Sequence, residues 1–585
     1  MTKSDRPTSK PTAIKKKKTP RKKKTPVLLI GGISAAAMAA GSVAGYFFLT
    51  RSQNTDSITG IATVIPQDAQ VAIAFNTKRE PWQKLNQFGT PESQKLLKDS
   101  MQQSPLGVLL SQSQTDFSKD VQPWLGGEAV MALVSDPQKP NSPPGTLVIA
   151  STNDSSQSEA FLAKYRNALT KQGAKFSPKE YKDLRYFESP TRERGRTVVT
   201  ADIGGRYIAI ATSPELIKKT FDTYKGEKPS LAKKTNFTNV FGAERRSNIN
   251  DPLVQMYLDG SIALEFIGSN AKVSLSQPVV EASRKQIDAI TLAVGTQKEG
   301  IRMELSIYPK NDSNLNQQAN DSQNGTSSVT SKLPQETFLL ISGNNLQRSW
   351  QEITAQAKSN PSSAQATQQI RKAVKDATQL DLEKDILKWM TGEFAIAAIP
   401  ADRGLLANPG FGLVVLMQTS DRNATTKMLT KLDRLAESSV SGAIPQGVEV
   451  KSKQLASKQI VTWNIGTSTV ASHGFIDDTH AFWAMGDLSE TLIPSPSKKL
   501  PDSSDFQVLT AGLPKNNGGY FYLNMENALT IAEKLLPSDA KTSEGYAQTK
   551  ALLNAIRGIA VTNTTIDNRI TRLDFLFTLK PVPGN

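Results

Sequence analysis

Apolar positions along this chain change their spacing several times, and each change predicts an element. Val71 to Phe75 is a short β-rich run, and Trp82 to Met101 reads as helical with a break at Gly89 to Pro91. Phe117, Val121, Trp124 and Leu125 fall at i, i+4, i+7 and i+8, the spacing of one helix face, which Gly126-Gly127 would end. Strand-like runs follow at Ala129 to Val134 and Thr146 to Ala150. After them comes a helix with Phe161, Leu162, Tyr165 and Leu169 inward and Gly173 at its end. Thr197 to Ile203 and Tyr207 to Thr212 predict a hairpin around Gly204-Gly205, and Ile287 to Val294 and Ile301 to Tyr308 a second across Lys298 to Gly300. Hairpins with helices inserted between them favour an α+β fold with a largely antiparallel sheet.

The pattern then starts again. Pro66, Gln67, Asn76, Trp82 and Gln83 recur as Pro334, Gln335, Asn344, Trp350 and Gln351. Asp116 to Ala132 aligns without a gap to Asp381 to Ala397, with Asp116/Asp381, Lys119/Lys384, Asp120/Asp385, Trp124/Trp389, Gly127/Gly392, Glu128/Glu393 and Ala132/Ala397 identical. Leu382, Ile386, Trp389 and Met390 repeat the helix face. A period this long belongs to whole domains and not to solenoid repeats. Two homologous α+β domains are therefore expected, at 63–310 and 333–585, joined by a polar flexible linker at 311–332.

The N-terminal end differs. Residues 1–26 hold eleven Lys and Arg against Asp5 alone, and Val27 to Thr50 carries no charge. At about 1.5 Å per residue this run exceeds the roughly 30 Å of a bilayer core, so a transmembrane helix is expected at 27–49, followed by a linker at 50–62. A cleaved signal peptide is the competing reading, given the alanines from Ala35 to Ala40, but Tyr46 to Leu49 prolong the apolar run. The basic flank keeps a disordered tail in the cytoplasm and sends the body to a periplasm or lumen across an inner membrane, plasma or thylakoid. Lys15 to Lys24 would meet anionic lipid there. Gly41 and Gly45 have the spacing that lets two spans pack as a homodimer.

Composition narrows the chemistry. The 585 residues are 38% hydrophobic and 21% charged, which fits globular domains. The net charge of +16 is mostly the tail, so nucleic acid is not implied as a partner. The absence of cysteine and the presence of two histidines remove thiol nucleophiles, disulfides and most zinc sites. His473, Asp477, Asp478 and His480 are the only cluster of ligand-type residues, set against a plain hairpin turn in which Asp477-Asp478 takes the place of Gly204-Gly205. Glu128 and Glu393 open strands after a glycine turn, and Trp124 and Trp389 belong to the core. Asp116 and Lys119, like Asp381 and Lys384, suit a surface pair on a helix. Ser495 and Lys498 have an SxxK spacing without its companion motifs. No catalytic, cofactor-binding or metal residue is assigned.

With KDVQPWLGGEAVMAL after Ile65-Pro66-Gln67-Asp68 and Trp82, the exported region resembles a family of uncharacterised cyanobacterial proteins, domain of unknown function 3352. The resemblance implies a single anchor and an extracytoplasmic body, and no activity. The second half departs from it where Pro123 is replaced by Lys388 and Gly126 by Thr391. The reading that follows is a membrane-anchored binding or scaffold protein with an unknown protein partner. The alternatives are an envelope hydrolase working with carboxylates and a carrier of lipid or another apolar ligand.

Overall fold

The computed structural model describes residues 58–95, 117–135, 143–191, 196–241, 247–270, 277–311, 327–357, 361–438, 447–536, 541, 544–566 and 569–582. The basic tail and the run Val27 to Thr50 lie outside them. Among the described residues no helix is long and apolar enough to cross a membrane.

Ten strands come from the first half: β1 (Ala69–Asn76), β2 (Leu125–Val134), β3 (Gly145–Thr152), β4 (Ser177–Tyr181), β5 (Leu184–Thr191), β6 (Arg196–Ile203), β7 (Tyr207–Ala211), β8 (Val254–Asp259), β9 (Ile287–Gln297) and β10 (Gly300–Pro309). Ten come from the second: β11 (Leu339–Asn344), β12 (Glu393–Pro400), β13 (Phe411–Gln418), β14 (Glu449–Leu455), β15 (Lys458–Ile465), β16 (Ser468–Phe475), β17 (His480–Met485), β18 (Tyr520–Asn524), β19 (Ile556–Ile566) and β20 (Ile570–Leu579). Every pairing is antiparallel. The spatial order in the first half is β4-β5-β6-β7-β3-β2-β1-β8-β9-β10, and the second half follows the same order with each number raised by ten. The α+β class and the two predicted hairpins, now β6–β7 and β9–β10, are as the pattern implied.

Alternation places each strand's side chains on two faces, and both faces of the first half are covered. On one face Ala72, Val130, Leu147 and Tyr257 pack with Ile58 and Ile61, with Ile217 and Phe221 of the helix Pro214–Tyr224, and with Phe237. On the other, Val71, Ile73 and Phe75 lie under Trp82, Trp124 and Phe161. Ser213 caps one of these helices by accepting the Leu216 N–H, and Gly173 ends another with φ +98°, a left-handed conformation that glycine adopts without penalty.

Three details differ from the periodicity. Phe117–Val121 is a single π-helical turn, and Leu125 with Gly126-Gly127 already belongs to β2. The same change occurs at Leu382–Ile386 and Leu387–Trp389. A turn followed by a strand can deliver the same apolar residues to the core, so 3.6-residue spacing over nine positions did not separate the two. Next, Ile58–Ile61, assigned to a linker, is a short helix with Ile58, Ile61 and Ala62 buried, and Ser327–Thr330, assigned to the second linker, is a helix that buries Val329. Finally, the sheet does not stop between the halves.

There β10 pairs with β20, Gly300 opposite Thr578 through Ile307 opposite Thr571, making one twenty-stranded sheet. Met303, Leu305, Phe575 and Phe577 join a single apolar cluster across this seam. On the other face Glu304 lies directly opposite Asp574. Both carboxylates are buried between Arg302 and Arg572: Arg302 Nη2 is 2.7 Å from Asp574 Oδ1 and 3.1 Å from Glu304 Oε1, and Arg572 Nη1 is 3.5 Å from Glu304 Oε2. Ser247 Oγ and the Asn248 N–H donate to Glu304 Oε2 at 2.6 and 2.9 Å. Burial lifts the Asp574 carboxyl above its usual range, the Arg302 hydrogen bond opposes this, and Glu304 adds to it.

A buried charge left without its partner costs about 3–5 kcal/mol, whereas an apolar replacement of a whole cluster is often neutral. Urea unfolding of Arg302→Met is therefore expected to show a loss in that range. The quadruple variant Arg302→Met, Glu304→Leu, Arg572→Met, Asp574→Leu is expected to lose less. A single variant as stable as wild type would show that the seam does not depend on these charges.

Candidate functional site

The β16–β17 hairpin carries both histidines. Its four ligand-type side chains do not converge on one point. His473 Nε2 sits 2.7 Å from Asp433 Oδ1 of the helix Arg422–Ser438, an oxygen that also accepts from Trp463 Nε1 at 2.7 Å. Asp478 faces solvent. His480 is 5% exposed, with Nδ1 2.8 Å from Asp477 Oδ1 and Nε2 2.6 Å from Ser328 Oγ.

Asp477 is held in the turn by its own neighbours, its Oδ1 accepting from the backbone N–H groups of Thr479 and His480, while Oδ2 meets Lys332 Nζ at 2.9 Å. Burial pushes this carboxyl upward, but Lys332, His480 and the Thr479 N–H outweigh it and hold the pKa well below the usual carboxylate range. An ionised carboxylate only accepts hydrogen bonds, so Nδ1 of His480 carries the proton toward Asp477. In the neutral ring Nε2 is then the acceptor, and Ser328 Oγ–H donates to it.

Sequence reasoning missed Ser328, which lies in a stretch with the composition of a linker. A signal was present: counting back from Pro334, Val329 and Leu333 stand where Ile61 and Ile65 stand before Pro66, and Ser328 stands where Gly60 does. Glu393 accepts the Val329 N–H at Oε2, 3.0 Å away. Its counterpart Glu128 is buried against Gly60, where an added Cβ would come within 2.9 Å of Oε1.

The remaining candidates separate into structural roles. Trp124 and Trp389 are buried, their indole N–H groups donating to the carbonyls of Asp120 and Asp385 at 2.6 and 3.1 Å. The carboxylates of these aspartates bind Lys164 and Lys431 on the helices that follow β3 and β13. Asp381 accepts the Lys384 backbone N–H as a helix cap instead of pairing with the lysine side chain, and Asp116 lies outside the described residues. Ser495 and Lys498 are both exposed on the loop after Ile493-Pro494.

A cavity of about 570 Å³ between the first half and the seam strand β20 is lined by Ile58, Asn76, Glu128, Ile249, Glu304 and Arg572 among others. Glu128 and Glu304 stand on β2 and β10, four strand spacings apart through β1, β8 and β9, or about 19 Å at ~4.8 Å each. Glycoside hydrolysis needs its two carboxylates within about 9.5 Å, so these two do not form such a pair.

Among the described residues, part of one face of the second half is uncovered. Ile341 of β11 is opposite Ile396 of β12 and Phe521 of β18, and the row continues to Val415 and Trp483. Ile341 and Ile396 are 42% and 36% exposed, whereas Ile73, which holds the equivalent place in β1, is 6% exposed. Trp350 of the helix Leu346–Ala357 packs at the Val415 end of the row, and this helix and its neighbour Pro361–Thr378 expose Ile353 and Ile370.

Because the folded Asp477 titrates below the unfolded value of 3.8, its ionised form contributes stability above about pH 4 that is lost as the pH falls. Thermal unfolding between pH 7 and 3 is expected to show a shallower decline for Asp477→Asn than for wild type. Parallel curves would refute this coupling.

No curated protein matches the chain. Among solved structures, crystal forms I and III of TP0453 match at TM-scores of 0.27 and 0.26, each with 10% identity, covering 44% of this chain and 80% and 81% of theirs. Likenesses this slight carry no structural argument. The family described as Protein of unknown function (DUF3352) matches residues 31–579, taking in the end of the uncharged run and all twenty strands, and the chain belongs to it.

Proposed function

We propose that this is a single-pass, membrane-tethered binding protein with its N-terminus in the cytoplasm and its body on the far side, in a periplasm or lumen. Its two halves are read as an internal duplication fused edge to edge. The uncharged run Val27 to Thr50 and its basic flank support the tether. Arg51 to Ser57 reach at most about 25 Å when extended, so the buried Ile58 is kept within that distance of the bilayer.

The observation that carries the binding reading is the row Phe521, Ile341, Ile396, Val415 and Trp483, in which Ile341 and Ile396 are exposed at the centre and the other three are half-buried. Contiguous apolar surface left uncovered on a folded domain marks a contact site. Its five strands span about 19 Å at ~4.8 Å per spacing, the reach of an extended acyl chain, and each methylene covered contributes about 0.8 kcal/mol. A body held beside a bilayer has such chains as its nearest apolar ligand. The proposed ligand is therefore the acyl chain of a lipid.

A photoactivatable sixteen-carbon fatty acid added to the full-length protein in nanodiscs is expected to label peptides containing Ile396 or Val415. Ile341→Glu/Ile396→Glu is expected to reduce that labelling about tenfold, the equivalent of ~1.4 kcal/mol. Label confined to residues 27–50, or unchanged in the variant, would refute the lipid. A protein cross-linked at the same face would replace it with a scaffold role.

A further inference from the structure

Ser328 Oγ, His480 Nε2, His480 Nδ1 and Asp477 Oδ1 form a continuous hydrogen-bonded line with links of 2.6 and 2.8 Å. A hydroxyl on an imidazole whose other nitrogen is fixed by an ionised carboxylate is the arrangement that makes serine a nucleophile, and it arises on unrelated folds. Lys332 on Asp477 Oδ2 keeps that carboxylate ionised. His480 is buried, so the proton moves within a poorly solvated path, while Ser328 is half-buried at the start of its helix.

The first half supplies an internal comparison. At the places of Ser328, Asp477 and His480 it has Gly60, Gly204 and Tyr207, so all three members of the line are confined to the second copy of the same scaffold. The fold does not require them. Gly204 turns with φ +65°, a conformation that favours glycine, and the second half has built a different turn around the Asp477 carboxylate.

We propose that Ser328 is a nucleophile activated by His480 and oriented through Asp477, and that it takes the acyl group of an ester. Ser328 Oγ attacks the carbonyl carbon while its proton passes to His480 Nε2. The carbonyl π electrons move to oxygen, giving a tetrahedral centre. Collapse breaks the ester C–O bond, the leaving alcohol takes the proton from His480, and an acyl-serine remains. Water then gives its proton to the same nitrogen and adds to the acyl carbon; the bond to Ser328 Oγ breaks, the acid leaves, and Oγ takes the proton back from His480. The site is separate from the open apolar row: Val329 packs with Val414 and Phe482, on the face opposite Val415 and Trp483.

The chain has no cysteine, so Ser328→Cys in the full-length protein creates a lone thiol. Its alkylation by iodoacetamide, followed against pH, is expected to give a thiolate pKa at least about one unit below the free value of ~8.5. Adding His480→Gln, which leaves a polar side chain in place but no base, is expected to return it to that value. In the native protein a fluorophosphonate probe is expected to label Ser328, located by peptide mass spectrometry, about a hundredfold faster than in His480→Gln. A Ser328→Cys thiol that titrates at or above the free value, or one unmoved by loss of His480, overturns the proposal. Circular dichroism of each variant separates either result from unfolding.

Discussion

The pairing of β10 with β20 is the constraint on which the rest of the architecture depends. Each half alone would end in a ten-residue strand with one row of backbone N–H and C=O groups unpaired and its apolar side chains uncovered. Laying one such edge antiparallel to the other satisfies both rows, and Met303, Leu305, Phe575 and Phe577 complete a core that neither half closes by itself. Register is specified on the opposite face. Glu304 and Asp574 face each other only in this alignment, and a slip of one strand by one residue would carry its acid into the apolar layer.

That specification uses charge where a hydrophobic pair would pack as well. Two acids side by side and buried are unfavourable, and Arg302 and Arg572 compensate by each contacting both of them. Arg302-x-Glu304 and Arg572-x-Asp574 repeat the same alternation in the two strands, so the quartet is built from one motif met twice, head to tail. An antiparallel pair of like strands has a local two-fold relation, and a motif placed near its centre pairs with itself.

The sequence made some of this legible. Hairpins around Gly204-Gly205 and Lys298 to Gly300 could be read because turn glycines and period-two alternation are both local. Trp124 and Trp389 could be assigned to the core from their apolar setting alone. The helix expected at Phe117 to Leu125 failed because a turn and a strand start can present the same residues inward. Ser328 was hidden by its polar surroundings, since its partners stand about 150 residues away and only the fold brings them to it. The seam was invisible for the same reason: which strand lies beside β10 is a question of register between distant segments, and no window of sequence contains it.

The distance along the chain between the seam strands has a consequence for biogenesis. Some 260 residues separate the end of β10 from the start of β20, the last strand among the described residues. Pairings this remote in sequence close late, because loop entropy must be overcome before contact energy is gained. A chain threaded across a membrane from its N-terminus would present β10 as a naked edge throughout the emergence of the entire second half. The outer edges meet no such interval: β4, with Pro178, Lys179 and Glu180, and β14, with Lys451 and Lys453, carry residues that discourage a neighbour. β10 carries charges too, Arg302 and Glu304, but they are the groups that its own partner strand matches. For a body exported as proposed, keeping that edge from other chains until β20 arrives would fall to a chaperone in the receiving compartment.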